Sequence, residues 1–137
     1  MRQPAMLLAF STLGACASPL PPVDQKQAWV DFYTITPGKL VMADRLDGQR
    51  LTDGRFFQVT PGKHELVVRF DYETYSGSGI NVDPTDRICY LTIEYDGFKA
   101  GQRYRLEARA VANQPNARLY DAERKVLAKE RMINCIP

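Results

Sequence analysis

The sequence lacks the residue patterns from which common catalytic and metal sites are built. It contains one histidine, His64, and lacks the H-x-x-H and E-x-x-H spacings of common zinc sites. It also lacks the G-x-S-x-G turn of serine hydrolases. Because acid–base, nucleophilic and metal chemistry need several such groups together, the sequence predicts no enzyme, no metal site and no cofactor. His64 follows the turn Pro61-Gly62, where its imidazole is expected to cap the turn or to pack at the core edge.

The N-terminus lacks a hydrophobic run long enough to span a membrane. Its apolar stretch, Ala5 to Leu13, is about nine residues long and is interrupted by Ser11 and Thr12, whereas a membrane-spanning helix needs about 20 apolar residues. With Arg2 before it and small residues after it, this stretch is typical of a secretory signal peptide. Residues 1–15 are therefore assigned to a signal peptide and excluded from the fold.

The tetrapeptide Leu13-Gly14-Ala15-Cys16 closes this stretch and resembles the lipobox of bacterial lipoproteins. The resemblance implies cleavage before Cys16 and acylation of that residue by fatty acids such as palmitate. Three acyl chains, at about 0.8 kcal/mol per buried methylene, hold a protein firmly in a membrane. The residue after the cysteine is Ala17, whereas some lipoproteins have Asp at this position. In lipoproteins of enteric-type bacteria, the absence of Asp here implies export to the outer membrane, where the protein faces the periplasm.

An alternative is cleavage after Ala17, because Ala15-Cys16-Ala17 also matches the A-x-A pattern of ordinary signal peptidase sites. That cleavage discards Cys16 and releases a soluble periplasmic protein. After the cysteine, a proline-rich segment favours an extended stalk that reaches at most about 35 Å. We assign residues 16–28 to a lipidated cysteine and a tether, and residues 29–137 to one folded domain.

Cysteine is scarce, and once Cys16 is set aside an even number remains. Cys89 and Cys135 lie at apolar positions of predicted strands, and an exported protein folds where disulfides form. A bridge between them within the core is therefore expected, with two free buried thiols as the alternative. The bridge closes a loop of about 46 residues, for which chain entropy gives about 4 kcal/mol of stabilisation.

Short segments rich in β-branched and aromatic residues recur along the domain, with turn residues between them, and no long amphipathic helix stands out. This pattern predicts an all-β fold, a small antiparallel β-sandwich of about seven to eight strands. The predicted strands are Trp29 to Ile35, Leu40 to Leu46, Phe56 to Val59, Lys63 to Tyr72, Arg87 to Tyr95, Arg103 to Val111, Ala117 to Asp121 and Val126 to Ile136. Predicted turns include Pro37-Gly38, Asp47-Gly48 and Asn113 to Asn116.

Two of these turns carry a second resemblance. Asp47-Gly48, followed by Pro61-Gly62 and the strand His64-Glu65-Leu66-Val67-Val68, resembles the PEGA-type surface modules, in which a D-G turn, a P-G turn and an H-x-[VIL]-x-[VIL] strand recur. The resemblance covers about residues 41–72, and an aromatic and acidic loop replaces the usual glycine-aromatic ending. It implies a small β-sandwich that is used for binding at the cell envelope.

The formal net charge is only +2, so bulk nucleic-acid binding is not expected. Period-two alternation places Arg103, Arg105 and Arg109 on one solvent-exposed face of a strand. This strip is either an ordinary solvated face, with Glu107 and Glu65 able to neutralise it, or a site for anions. Arginine forks suit lipopolysaccharide phosphates, peptidoglycan carboxylates and acidic proteins.

A second candidate surface is the Tyr72 to Arg87 loop, which is either an ordinary exposed hairpin loop or a partner site. Together with the anchor, these features predict a lipid-anchored envelope lipoprotein that acts as a non-catalytic binding or accessory module. Its expected partners are the membrane, through the lipid, and an envelope protein or an anionic glycan. A structural adaptor within an envelope assembly and a soluble periplasmic ligand-binding protein are the alternatives.

Overall fold

The computed structural model describes residues 16, 18–35, 39–77 and 83–137, and within these ranges it contains nine strands and no helix, hence none able to cross a membrane. The strands are β1 (Ala28–Thr34), β2 (Leu40–Leu46), β3 (Gln49–Arg50), β4 (Phe57–Val59), β5 (Gly62–Thr74), β6 (Thr85–Phe98), β7 (Arg103–Val111), β8 (Gln114–Tyr120) and β9 (Val126–Ile136). The all-β prediction is confirmed. The predicted signal peptide, residues 1–15, and the predicted turn Pro37-Gly38 lie outside the described residues.

The strands form one curled sheet in the order β3-β2-β5-β6-β9-β8-β7-β1-β4. The separate layers of a sandwich are not confirmed, and two details of the prediction are corrected: the strands number nine, and the sheet is mixed. Strand β1 pairs in parallel with β7, from Trp29 opposite Arg103 to Thr34 opposite Ala108. Local periodicity could not reveal this pairing, because it depends on distant packing, and the two residues of β3 are too few to show a period.

Strand β9 joins the two halves of the sheet. Its residues 126–129 pair with β8, whereas residues 130–136 pair with β6. Both pairings contain a register shift, and such irregularities increase local twist and bend a strand. One half of the sheet therefore contains β4, β1, β7 and β8, and the other contains β3, β2, β5 and β6.

Both halves contribute to a single hydrophobic core. Alternate residues of β5, including Leu66 and Phe70, are fully buried, while the residues between them are partly exposed. From the other half, Leu106 and Leu119 are equally buried and belong to the same contiguous cluster. The curled sheet thus encloses one core and presents two outer faces, one on each half.

Strand β8 begins earlier than predicted. The preceding turn consists of Ala112 and Asn113, with φ of 50° and 65°, and positive φ at both central residues is the conformation of a tight hairpin turn. Gln114 already pairs with Val111, so the predicted turn at residues 113–116 is wrong. Pro115 fits within the strand because, on its other side, β8 pairs with β9 only from residue 118 onward.

A disulfide joins Cys89 and Cys135, as the sequence predicted. The two residues lie directly opposite each other on β6 and β9, so the bridge links neighbouring strands of one sheet and not two facing layers. Cys89 is fully buried, but Ile133, which shares a face with Cys135, is exposed. The core therefore covers the β6 side of the bridge more completely than the β9 side.

The segment expected to be a free tether contacts the domain at both of its ends. Nη1 of Arg55 donates a hydrogen bond to the carbonyl of Ser18 at 2.8 Å. Asp53 orients Arg55 through two further hydrogen bonds of 2.9 and 2.7 Å, and this pairing lowers the pKa of Asp53 to about 2. Near the other end, the amide of Gly101 donates to the carbonyl of Gln27 at 2.9 Å.

Candidate functional site

The three arginines expected at the site lie on the outer side of β7, where they join charged residues of neighbouring strands. The pairing register places Tyr33, Glu107, Arg118 and Lys129 in one row across β1, β7, β8 and β9. The outward charged residues of these strands form what we call the basic face: Arg103, Arg105, Arg109, Arg118, Lys129, Asp31 and Glu107. Its five cations exceed its two carboxylates by three.

Glu107 is the buried centre of the basic face, with only 4% of its surface exposed. Nitrogens of Arg105, Arg109 and Arg124 lie 3.8, 3.3 and 3.6 Å from its carboxylate oxygens. A buried carboxylate is costly without a countercharge, so these guanidinium groups stabilise it. Among the described residues, no donor forms a hydrogen bond with its Oε1. Glu107 lies on the outer side of β7, as the alternation of the strand predicts, but the surrounding side chains cover it, so it is not exposed to solvent as expected.

Arg103 is held at the β1 side of the basic face. Its Nη2 donates to both carboxylate oxygens of Asp31 at 3.0 Å, and its guanidinium lies 5.7 Å from the ring centre of Trp29. Trp29 in turn donates from Nε1 to Asp31 at 2.7 Å and stacks on Phe56 with 4.3 Å between ring centres. This arginine therefore already has a carboxylate and an aromatic partner.

The other cations of the basic face differ in how they are engaged. Arg105 lies 4.2 Å from the ring centre of Tyr33, a cation–π arrangement, and also faces Glu107. In contrast, within the ranges that the structure describes, no ion pair or side-chain hydrogen bond involves Arg118 or Lys129. These two residues carry two of the three excess positive charges of the face.

A cavity of about 340 Å³ opens beside the basic face, at the lower end of the range for small-ligand sites. Three guanidinium groups and two carboxylates contribute to its wall: Arg103, Arg105, Arg124, Asp31 and Asp121. Such a wall offers several N–H donors to a phosphate or carboxylate. It also offers acceptors to an amine or hydroxyl on the same ligand.

Sequence reasoning found Arg103, Arg105 and Arg109 and noted that Arg118 is near them in sequence, but it did not place Arg118 and Lys129 on the same surface. The alternation of β8 and β9 places Arg118 and Lys129 outward, but only the pairing register shows that they continue the row through Glu107. Glu65, expected to help neutralise the strip, lies elsewhere. It pairs with Arg131 at 3.0 Å on the other half of the sheet.

The outer side of the other half carries both hydrophobic and charged residues, and we call its hydrophobic part the apolar face. Glu65, Glu94 and Arg131 form ion pairs on the same side of the sheet. Pairing across β2, β5, β6 and the end of β9 places these residues together: Leu40, Met42, Val67, Ile88, Tyr90, Met132 and Ile136. Leu40, Met132 and Ile136 are about half exposed. A depression of about 450 Å³ lies on this face, lined by Val67, Tyr90 and Met132 together with Arg45 and Arg50.

His64 of β5 contacts the turn that contains Asp47 and the residue Thr60 that precedes the strand. Its Nδ1 lies 2.6 Å from Oδ2 of Asp47, and its Nε2 lies 2.7 Å from the carbonyl oxygen of Thr60. Burial raises the pKa of Asp47, but hydrogen bonds from the Glu65 amide and from His64, with the imidazole charge, lower it overall. Across the described ranges, no group of three or more His, Cys, Asp or Glu side chains is arranged to hold a metal ion.

The two remaining candidate positions are a loop and the lipidation site. The loop expected between Tyr72 and Arg87 is shorter than predicted, because β5 continues to Thr74 and β6 begins at Thr85. Residues 78–82 of this loop lie outside the described part of the chain. Cys16 is exposed and lies two residues before Ser18, the residue that Arg55 binds.

Comparisons of the chain with models of protein families, with curated protein sequences and with solved structures find no significant match. Function is therefore inferred from the residues and the geometry alone.

Proposed function

We propose that this chain is a lipid-anchored lipoprotein of the cell envelope that acts as a non-catalytic binding or accessory module. Cys16 carries the lipid, the protein resides at the outer membrane facing the periplasm, and the two halves of the sheet act as the layers of a small sandwich. The lipobox-like tetrapeptide ending at Cys16 and the exposure of that residue support the anchor. The basic face is the binding site, and its partner is anionic.

The observation that carries the binding proposal is the excess positive charge of the basic face. Arg103, Arg105 and Arg109 each form an ion pair with a carboxylate, whereas no ion pair within the described residues involves Arg118 or Lys129. An arginine fork binds carboxylate or phosphate through two parallel hydrogen bonds, and a lysine acts as a point charge. Envelope glycans and acidic envelope proteins present both kinds of group.

The double variant Arg118→Ala/Lys129→Ala tests this site. It removes the two cations of the face that form no ion pair within the described residues, and such surface substitutions usually change stability by no more than about 0.5 kcal/mol. We expect the folded variant to lose a salt-sensitive partner that is crosslinked and co-purified from envelope membranes. The matched control, Arg50→Ala/Arg87→Ala, removes two cations from the other half of the sheet and retains that partner. Equal retention by both variants contradicts the proposal.

The anchor has its own test. The variant Cys16→Ala lacks the thiol that receives lipid, so we expect a protein of the membrane fraction to become soluble or to remain unprocessed. Fractionation of the two forms and mass spectrometry of the mature N-terminus measure this change. Unchanged fractionation contradicts the anchor, as does a mature chain that begins at Ser18 without acyl groups. The latter result indicates the soluble periplasmic alternative.

A structural adaptor within an envelope assembly is the second candidate function, and the apolar face favours it. Contiguous exposed hydrophobic residues on a folded protein often mark an interaction surface. Leu40, Met132 and Ile136 are exposed on the half of the sheet opposite the basic face, with Asp71 and Ile88 between Leu40 and Ile136 in the pairing register. If variants of these three exposed residues lose co-purified proteins and variants of the basic face retain them, the protein acts as a structural adaptor.

A further inference from the structure

The bound tether keeps the domain close to the lipid anchor. As a free stalk, residues 17–28 would reach up to about 35 Å from the membrane. In the structure, however, Arg55 binds the carbonyl of Ser18, only two residues after Cys16. Because an extended chain spans at most about 3.6 Å per residue, this part of the domain lies within about 10 Å of the anchored cysteine.

The point at which the tether is bound adjoins the basic face. Arg55 precedes Phe56, whose ring stacks on Trp29, and Arg103 lies over that same Trp29 ring. Phe56 and Trp29 therefore connect the segment that carries the tether contact to Arg103, the first cation of the face. The Debye length at physiological ionic strength is about 8 Å, so the field of charged lipid headgroups acts on cations that lie close to the membrane surface.

Exposed apolar side chains lie among the cations of the basic face. Tyr33 and Val126 are 42% and 39% exposed, and Val111, at the outward position after Arg109 on β7, is 59% exposed. A small soluble anion contacts only the charged groups of such a surface. A membrane interface accommodates both, because headgroup phosphates bind the cations and the acyl boundary takes up the apolar side chains.

We propose that the basic face lies on the membrane in which Cys16 is anchored and binds the phosphates of anionic lipid headgroups. This inference rests on the proposed function, since it takes the lipid at Cys16 and the anionic partner as given. Arg118 and Lys129 supply most of the excess charge, while Tyr33, Val111 and Val126 enter the headgroup region. The other half of the sheet, with the apolar face, is then turned away from the lipid surface.

Vesicle sedimentation with the mature chain, residues 16–137, carrying Cys16→Ser and purified with its disulfide formed, tests the surface without the anchor. The vesicles contain phosphatidylcholine with or without phosphatidylglycerol. We expect binding only to the anionic vesicles, weakened about thirtyfold by Arg118→Ala/Lys129→Ala, since each surface cation contributes about 1 kcal/mol. We expect the control variant Arg50→Ala/Arg87→Ala to bind the anionic vesicles with the same affinity as the parent chain. Equal binding to neutral vesicles, or equal binding by the two double variants, overturns the inference.

A second variant distinguishes a membrane from a soluble phosphate. We expect Val111→Ser/Val126→Ser to weaken vesicle binding while leaving the affinity for tripolyphosphate, measured by calorimetry, unchanged. If the parent chain ignores anionic vesicles but binds tripolyphosphate or an acidic envelope protein through Arg118 and Lys129, the membrane inference fails and the proposed function stands. If it binds none of these, both fail.

Discussion

The two outer faces of the sheet differ in how they hold their charges. On the basic face, guanidinium groups surround the buried Glu107 and two cations are left over. On the apolar face, Arg69 and Asp71 form a self-contained pair with two hydrogen bonds of 2.8 Å, and hydrophobic side chains occupy the surrounding surface. The basic face therefore carries excess positive charge, and the apolar face exposes hydrophobic surface to solvent.

This difference arises from pairing register and not from the strands taken singly. Both β5 and β7 alternate between buried and outward residues, and both place charged side chains outward. On β7, Glu107 lies between outward arginines of its own strand and opposite Arg118 of β8. On β5, Arg69 lies opposite the neutral Tyr90, and Asp71 lies opposite Ile88. The neighbours decide whether an outward charge becomes part of a cluster.

The largest effect is expected from Arg105→Ala/Arg109→Ala. This change removes two of the three cations around Glu107, and breaking a buried ion pair by removing one side typically costs about 3–5 kcal/mol. In comparison, Arg69→Ala on the apolar face removes a partly exposed pair worth about 1 kcal/mol or less. Urea unfolding of the two variants measures the contrast. Equal losses would show that burial of Glu107 does not distinguish the faces.

Removal of the disulfide measures how much the stability of the half of the sheet with the apolar face depends on this covalent bond. Replacing both cysteines, Cys89→Ala/Cys135→Ala, is expected to lower the free energy of unfolding by about 2–5 kcal/mol. Thiol labelling after denaturation, in a Cys16→Ala background, checks the bridge directly, since no thiol should react. Two labelled thiols per chain would instead show that the bridge does not form in solution.

Substitutions on the apolar face are expected to change solubility and partner binding more than the free energy of unfolding. The change Met132→Lys/Ile136→Lys places two cations at exposed positions of β9, where substitutions usually alter stability by no more than about 0.5 kcal/mol. We expect less binding of a hydrophobic dye and loss of any partner bound through this face, with unchanged binding to anionic vesicles. Loss of vesicle binding would remove the functional distinction between the faces.

The smallest effect concerns acid stability at the turn fastened by His64. Because the pKa of Asp47 is lower in the folded chain than its ordinary value of 3.8, its contribution to stability is present above that value and is lost as the pH falls through the folded pKa. Asn is also suited to a tight turn before glycine, so Asp47→Asn removes the titration and keeps the turn. The stability difference between parent and variant, followed by urea unfolding, should shrink below about pH 4.

The sequence was sufficient for elements whose residues alternate in hydrophobicity. Strands β2, β7 and β9 have the predicted bounds, and the Cys89–Cys135 bridge forms as expected. It was insufficient where distant parts of the chain meet: the parallel pairing of β1 with β7, the burial of Glu107 and the binding of Ser18 by Arg55. The lipid at Cys16, the PEGA-type resemblance and the partner of the arginine strip stay predictions.

The central position of β9 has a consequence for how the chain acquires its structure. This strand comes after all the others in the sequence, yet it pairs with β6 on one side and β8 on the other. Until residues 126–136 are available, those two strands have open edges that can pair with other chains. Folding that depends on such distant pairings is slow and exposes the chain to aggregation. Completion of the sheet must therefore await the emergence of β9 during synthesis or export.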